Sequence, residues 1–177
     1  MPKEPALRTS TGSATGPARP AWAVTDELMR NYYDHEWGVP VKDERGLFEA
    51  LSLEVFQSGL SWSTILRTRE AFRAAFADFE PHLVAVFTDR QVEELMQNEG
   101  IVRNRRKVLA TIQNAKATLA LRQAGGLVKL VWSFAPENPH GRVAPQEVTR
   151  TPESEALAKE LKARGFNFVG PTTMHAL

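Results

Sequence analysis

A chain of 177 residues with 42% apolar content is long enough to bury one sizeable core, and a formal net charge of +1 neither demands nor forbids a nucleic-acid partner. It contains no cysteine. Disulfides, zinc ribbons, iron–sulfur clusters and thiol nucleophiles are thereby excluded together, and the simplest compartment is a reducing, cytoplasmic one.

The first twenty residues, MPKEPALRTSTGSATGPARP, are rich in Pro, Ser, Thr and Gly and hold no apolar run long enough for a signal-peptide core or a membrane span. They read as a disordered tail, 1–20, ahead of one folded region over 21–177. Near its start, YYDHEWGVP (Tyr32 to Pro40) packs two tyrosines, a tryptophan, a histidine and two acids into nine positions. A metal site on His35, an acid/base site and an aromatic wall for a planar ligand are all open at this point.

Helical periodicity dominates the rest. In ERGLFEALSLEVFQSGL the apolar positions Leu47, Phe48, Leu51 and Val55 recur at spacings of three and four. Glu54 stands at the edge of that apolar face, either lining a cavity or half exposed at a helix margin. Trp62, after Gly59 and Ser61, opens the next helix as a core anchor or a stacking surface, an ambiguity that Trp22, Trp37 and Trp132 share. Thr88 and Gln91 form a capping box before Val92, Leu95 and Met96. In MQNEGIVRNRRKVLATIQNA, a helix end at Gly100, an apolar corner at Ile101 and Val102, and a helix start under Arg103, Arg105, Arg106 and Lys107 would aim backbone N–H groups and four cations at one point. That suits a phosphate, with glycine allowing close backbone approach; the competing reading is a solvated basic helix start. The helix carrying Val108, Ile112, Ala115 and Leu119 ends before Gly125 and Gly126, and the loop APENPHGR is expected to divide two lobes. Thr151-Pro152 opens a last helix, lined by Leu157 and Leu161, that stops at Gly165. No stretch alternates as a strand, the fold class is all-α, and His35, His82, His140 and His175 show no metal-ligand spacing.

The blocks WAVTDELMRNYYDHEWGVP, LFEALSLEVFQSGLSWSTILRTREAFRAAF, GIVRNRRK, VWSF and RGFNFVGPTT together resemble bacterial 3-methyladenine DNA glycosylase I, from about Trp22 to the C-terminus. The resemblance implies a helix-hairpin-helix DNA glycosylase fold of two closely packed helical lobes with the pocket between them. It makes the basic corner, at about 88–123, the hairpin that grips DNA through Gly100, Arg103, Arg105, Arg106 and Lys107. It implies a monomeric enzyme that flips 3-methyladenine out of alkylated double-stranded DNA and hydrolyses its N-glycosidic bond, with no membrane partner. By the family's motifs, Trp62 stacks on the base, Glu54 and Tyr32 hydrogen-bond it as the catalytic pair, and Trp22 and Trp37 are further pocket aromatics.

One departure stands out. Most of the family binds a structural zinc through a histidine at the position of Tyr33, a cysteine near the N-terminus and a His/Cys pair near the C-terminus. Tyr33 replaces the histidine, RPA precedes Trp22, and the residues up to Leu177 stop short of the last pair; no zinc or other cofactor is expected, with packing around Tyr33 and Leu177 in its place. No aspartate follows Asp89, which fits the narrow-substrate member rather than relatives that use one beyond the hairpin. Two alternatives have other classes: an inactive damaged-DNA-binding module with the same fold, and a small-molecule hydrolase using Glu54 and His35.

Overall fold

The computed structural model describes residues 19–136 and 148–177. The tail through residue 18, His140 and the lobe-dividing loop from residue 137 onward fall outside them. Arg19 and Pro20, counted with the tail by composition, contact the fold: Arg19 Nε and one terminal nitrogen donate to the two carboxylate oxygens of Asp34, each at 2.8 Å.

Among the described residues the secondary structure is helical: α1 (Glu27–His35), α2 (Glu44–Gln57), α3 (Trp62–Ala75), α4 (Pro81–Val84), α5 (Asp89–Gln97), α6 (Arg105–Leu121), α7 (Gly126–Trp132), α8 (Pro152–Ala163) and α9 (Pro171–Ala176). Side chains cap the ends where orphan N–H groups need acceptors. Asp26, Asp43 and Ser61 do so for α1, α2 and α3, and Thr88 with Gln91 and Thr151 with Ser154 complete capping boxes at α5 and α8. Gly165, at φ +86°, follows the end of α8 in the left-handed region that favours glycine.

The core is an aromatic column. Phe48, Phe56, Phe72, Phe76 and Phe79 are fully buried, with Phe56 tilted on Phe72 at 4.6 Å and Phe76 stacked on Phe79 at 5.6 Å between ring centres. Leu51, Ile65, Val108, Leu127 and Leu161 close around it, so α2, α3, α6, α7 and α8 share one core. Buried Glu49 on α2 receives Arg73 of α3 at 2.7 and 2.8 Å. Between α3 and α4, Ala77, Asp78 and Phe79 all take left-handed backbone angles. That costs roughly 1–2 kcal/mol per residue, and it is held by burial of Phe79 and by an Arg45 hydrogen bond to the Asp78 carbonyl at 3.2 Å. Met174 is buried in the same core and Leu177 packs against it, which anchors α9.

Candidate active site and nucleic-acid interface

Three helix ends meet at the candidate base site. Tyr32 comes from the last turn of α1, Glu54 from the last turn of α2, and Trp62 is the first residue of α3. Two ion pairs between α1 and α3, Asp26 with Arg67 and Glu36 with Arg69 at 2.5 Å, hold the Tyr32 ring over Trp62, their centres 5.5 Å apart and their planes at 52°. The Trp62 indole N–H is out of contact with solvent and makes no full hydrogen bond among the described residues, with the Tyr32 hydroxyl its nearby polar neighbour. The Glu54 carboxyl also has no hydrogen-bond or ion-pair partner among the described residues, and burial pushes it from 4.5 up to about 7. The Tyr32 phenol is pushed well above its ordinary value, by burial first and then by Glu54 and Glu36. The arrangement offers an acceptor that titrates near neutrality, a hydroxyl firmly held as a donor, and an indole face: chemistry for a flat ligand with an amino group rather than for a strong base.

Trp22 and Trp37 make their ring contacts around Tyr33. Trp22 meets Tyr33 edge-on at 5.4 Å and Trp37 at 5.8 Å, while Tyr33 stacks on Trp37 at 5.1 Å. Tyr33 is 3% exposed. This cluster ties the 3-10 turn at Ala21–Val24 to α1, where the family's metal would fasten the N-terminal segment. The residues there do not fit that metal: Tyr33 offers a phenol among indole rings, a poor zinc ligand, in place of an imidazole. His35 is exposed with Nδ1 at 3.0 Å from the Asn31 carbonyl, so it makes no acid/base pair with Glu54. Trp132 donates its indole N–H to the Val41 carbonyl at 2.8 Å, which accounts for it structurally.

At the basic corner the structure revises the expectation of four converging cations. Lys107 is 7% exposed, and its Nζ donates to the Phe56 and Ser58 carbonyls at 2.8 and 2.7 Å, turned inward because α2 ends there with orphan acceptors. Arg105 pairs with Glu93 of α5 at 2.5 and 2.6 Å. The Asn104 side chain accepts from the N–H groups of Arg106 and Lys107, so these are not the free donors anticipated. Gly100 has an internal reason as well: a Cβ would sit 3.0 Å from Ala71 Cβ and 3.1 Å from Asn98 Oδ1, so the glycine lets the corner pack on α3 whether or not a phosphate approaches. Arg103 is exposed with no ion-pair partner among the described residues. Arg106 lies over the Phe168 ring, 5.8 Å from its centre.

Sequence reasoning missed two features. The turn from Gly165 to Gly170 joins α8 and α9 into a second helical corner, clasped to α6 by Asn114, whose amide bonds the Asn167 N–H at 2.7 Å and carbonyl at 3.1 Å. It carries exposed Phe168 at φ +58° to Arg106, and the two corners border an open groove of about 760 Å³. The glycine spacing in RGFNFVG was the available signal. The second feature is Leu60, 38% exposed at the tip between Glu54 and Trp62. Gln57 fixes it, accepting from its N–H at 2.6 Å and donating to its carbonyl at 2.8 Å; an apolar residue between glycine and serine in QSGLS was the only hint.

Comparison with known proteins places the whole folded region in one family. The methyladenine glycosylase family matches residues 22–177. The chain is 45% identical to DNA-3-methyladenine glycosylase 1 of Escherichia coli, over 89% of this chain and 87% of that protein. It is 41% identical to DNA-3-methyladenine glycosylase of Haemophilus influenzae, over 88% and 86%. Among solved structures, 3-methyladenine DNA glycosylase I from Staphylococcus aureus, studied for its recognition of 3-methyladenine, superposes with a TM-score of 0.80 at 38% identity over 86% of this chain and 83% of that one. The chain belongs to the methyladenine glycosylase family.

Proposed function

We propose that this protein is a monofunctional DNA glycosylase that flips 3-methyladenine out of alkylated duplex DNA and hydrolyses its N-glycosidic bond. The observation that carries the reading is Tyr32 lying against Trp62 and within electrostatic reach of Glu54, in a chain whose relatives are named for that activity. Ionised Glu54 accepts from the adenine N6 amino group, Tyr32 donates to N7, and Trp62 supplies the stacking face; a guanine O6 would confront the carboxylate as a second acceptor. N3-methylation makes the base a cation that leaves as a neutral molecule, so the protein has only to extrude it, hold it and admit water.

In this reading Arg103 and Arg106 contact phosphates, Arg105 exchanges Glu93 for DNA, and the Gly165–Gly170 turn presents Phe168 on the same face. Leu60, a fixed apolar tip beside the base site, enters the stack as the lesion leaves. Trp22 and Trp37 act as pocket aromatics through the wall they form with Tyr33. That aromatic cluster, with the Arg19–Asp34 pair and the burial of Met174, replaces a structural zinc. The reading carries with it a monomer acting in the cytoplasm. Incubation with methylated DNA and chromatography of the supernatant tests the central claim: free 3-methyladenine is expected, and binding to an abasic duplex with no base released would leave only a damage-binding module.

A further inference from the structure

Lys107 is the one cation of the RNRRK run whose side chain is buried. A buried ammonium is costly unless its donors are used, and burial holds its pKa below the ordinary lysine value. Its Nζ lies 2.8 Å from the Phe56 carbonyl and 2.7 Å from the Ser58 carbonyl. Those two acceptors flank the last residue of α2, where carbonyls are orphaned and a positive charge is favoured by the helix dipole. The turn they belong to is short and strategically placed. Glu54 lies on one side, its carbonyl accepting from the Ser58 N–H at 3.3 Å. On the other side come Gly59 at φ +85°, exposed Leu60 and, at the start of α3, Trp62. Lys107 itself sits in the first turn of α6, next to Arg106 and beyond Arg103 on the face assigned to DNA. One side chain therefore joins the start of the phosphate-facing helix to the segment that carries the acceptor, the tip and the stacking ring.

We propose that Lys107 is a positioning residue for base excision, and not a phosphate contact: its ammonium fixes the Ser58–Ser61 turn so that a duplex held at the α6 corner presents its lesion in register with Glu54 and Trp62. The proposal rests on the glycosylase reading above. A misplacement of the base by a fraction of an ångström leaves the duplex bound but the sugar carbon out of line for water. DNA affinity and excision should therefore separate when Lys107 is changed.

The experiment compares the full chain with Lys107→Met, Lys107→Arg and Lys107→Gln, using duplex DNA with a single 3-methyladenine. In Lys107→Met, single-turnover excision should fall at least about tenfold, while the slope of log affinity against log salt stays that of the parent. Hydrogen exchange in the peptide spanning 57–61 should quicken, while that of α8 stays unchanged. Lys107→Arg, which keeps charge and donors, should recover most of the excision rate. Lys107→Gln, which keeps an N–H donor on a shorter stem, should fall between Met and parent, and it decides the matter if the Met variant does not fold. Excision equal to the parent, with or without a looser turn, overturns the proposal. So does a salt slope reduced by about 0.9, the value expected when one phosphate is no longer neutralised. If the parent itself releases no base, the glycosylase reading fails, and exchange at 57–61 alone decides whether Lys107 holds the turn.

Discussion

Glu54 should make base affinity depend on pH in a direction fixed by its surroundings. Burial penalises the charge and pushes its carboxyl from 4.5 up to about 7, with no cation paired to it among the described residues. If the ionised form is the one that accepts from the N6 amino group, apparent affinity follows the ionised fraction. That fraction falls about tenfold from pH 8 to pH 6. Calorimetric titration of free 3-methyladenine should show that fall in the parent. Glu54→Gln should bind more weakly at pH 8 by about 1.5 to 3 kcal/mol and change with pH only as the ligand itself titrates, so the difference between the two proteins isolates the carboxyl. Stability runs the opposite way. Between pH 4.5 and 7 the folded state keeps a proton that the unfolded chain has released, so ligand-free stability contributed by Glu54 falls as pH rises through that window and is flat above it. The Gln variant should therefore gain up to about 3 kcal/mol over the parent at pH 8, less where solvent reaches the carboxyl, and little at pH 4.5. Parallel affinity curves for parent and Gln variant between pH 6 and 8 would refute the assignment of Glu54 as the ionised acceptor.

Neutralising Arg103 and Arg106 together to Gln should weaken duplex binding and lower its salt slope by about 0.9 for each phosphate that the variant no longer neutralises, with affinity for the free base unchanged; a slope equal to the parent's would make the corner a solvated face. Leu60→Ala should slow excision from a fully paired duplex more than from a mismatched one, where extrusion is already cheaper, and should leave free-base affinity alone; equal slowing in both contexts would remove Leu60 from the opening step. Elemental analysis of protein never exposed to chelator should find well under one zinc per chain, and Tyr33→Ala should cost about 3 kcal/mol in urea unfolding because it removes the ring at the centre of the aromatic cluster. A full equivalent of zinc, or a loss near zero, would assign the fastening of the N-terminal segment to something else.

The features legible in the sequence are those set by neighbours along the chain. The Thr88 and Thr151 caps, the stop at Gly165 and the apolar stripes of α2 and α6 depend on residues within a turn or two, and they stand where spacing put them. The features that are not legible depend on partners far away in sequence. Lys107 and Arg106 are adjacent and chemically alike, yet one caps a helix end some fifty positions upstream and the other lies over an aromatic ring some sixty positions downstream. Nothing local distinguishes them. Gly100 reads locally as a place for backbone approach, and nothing local announces its second constraint, from Ala71 on another helix. The left-handed run at Ala77–Phe79 has no glycine to announce it, because burial of Phe79 imposes it. The candidate site lies between these extremes: Glu54 at a helix margin is visible in the spacing, but the burial that brings its titration near neutrality, and its approach to Tyr32 of α1, depend on how distant helices pack.

In the proposed reading, a carboxyl with no ion-pair partner among the described residues suits a substrate that brings its own charge. A permanent arginine beside Glu54 would hold it ionised and repel a cationic base; full exposure would ionise it but screen its attraction. Half-buried and near 7, it would, in the proposed reading, have its pKa lowered by a cationic ring entering over Trp62 and complete the pair, an incentive that a neutral adenine does not supply. The attraction is strongest before the glycosidic bond breaks, since the departing base becomes neutral, so a still stronger anion would stabilise the bound lesion more than the transition state. On that reading, discrimination would gain from a carboxyl that ionises when the lesion arrives, while turnover would require that it not hold the cation too firmly. The chemical step can tolerate this compromise because the methylated base is already a good leaving group. The same carboxylate would do little to expel an unmodified base, which confines the useful chemistry to charged lesions.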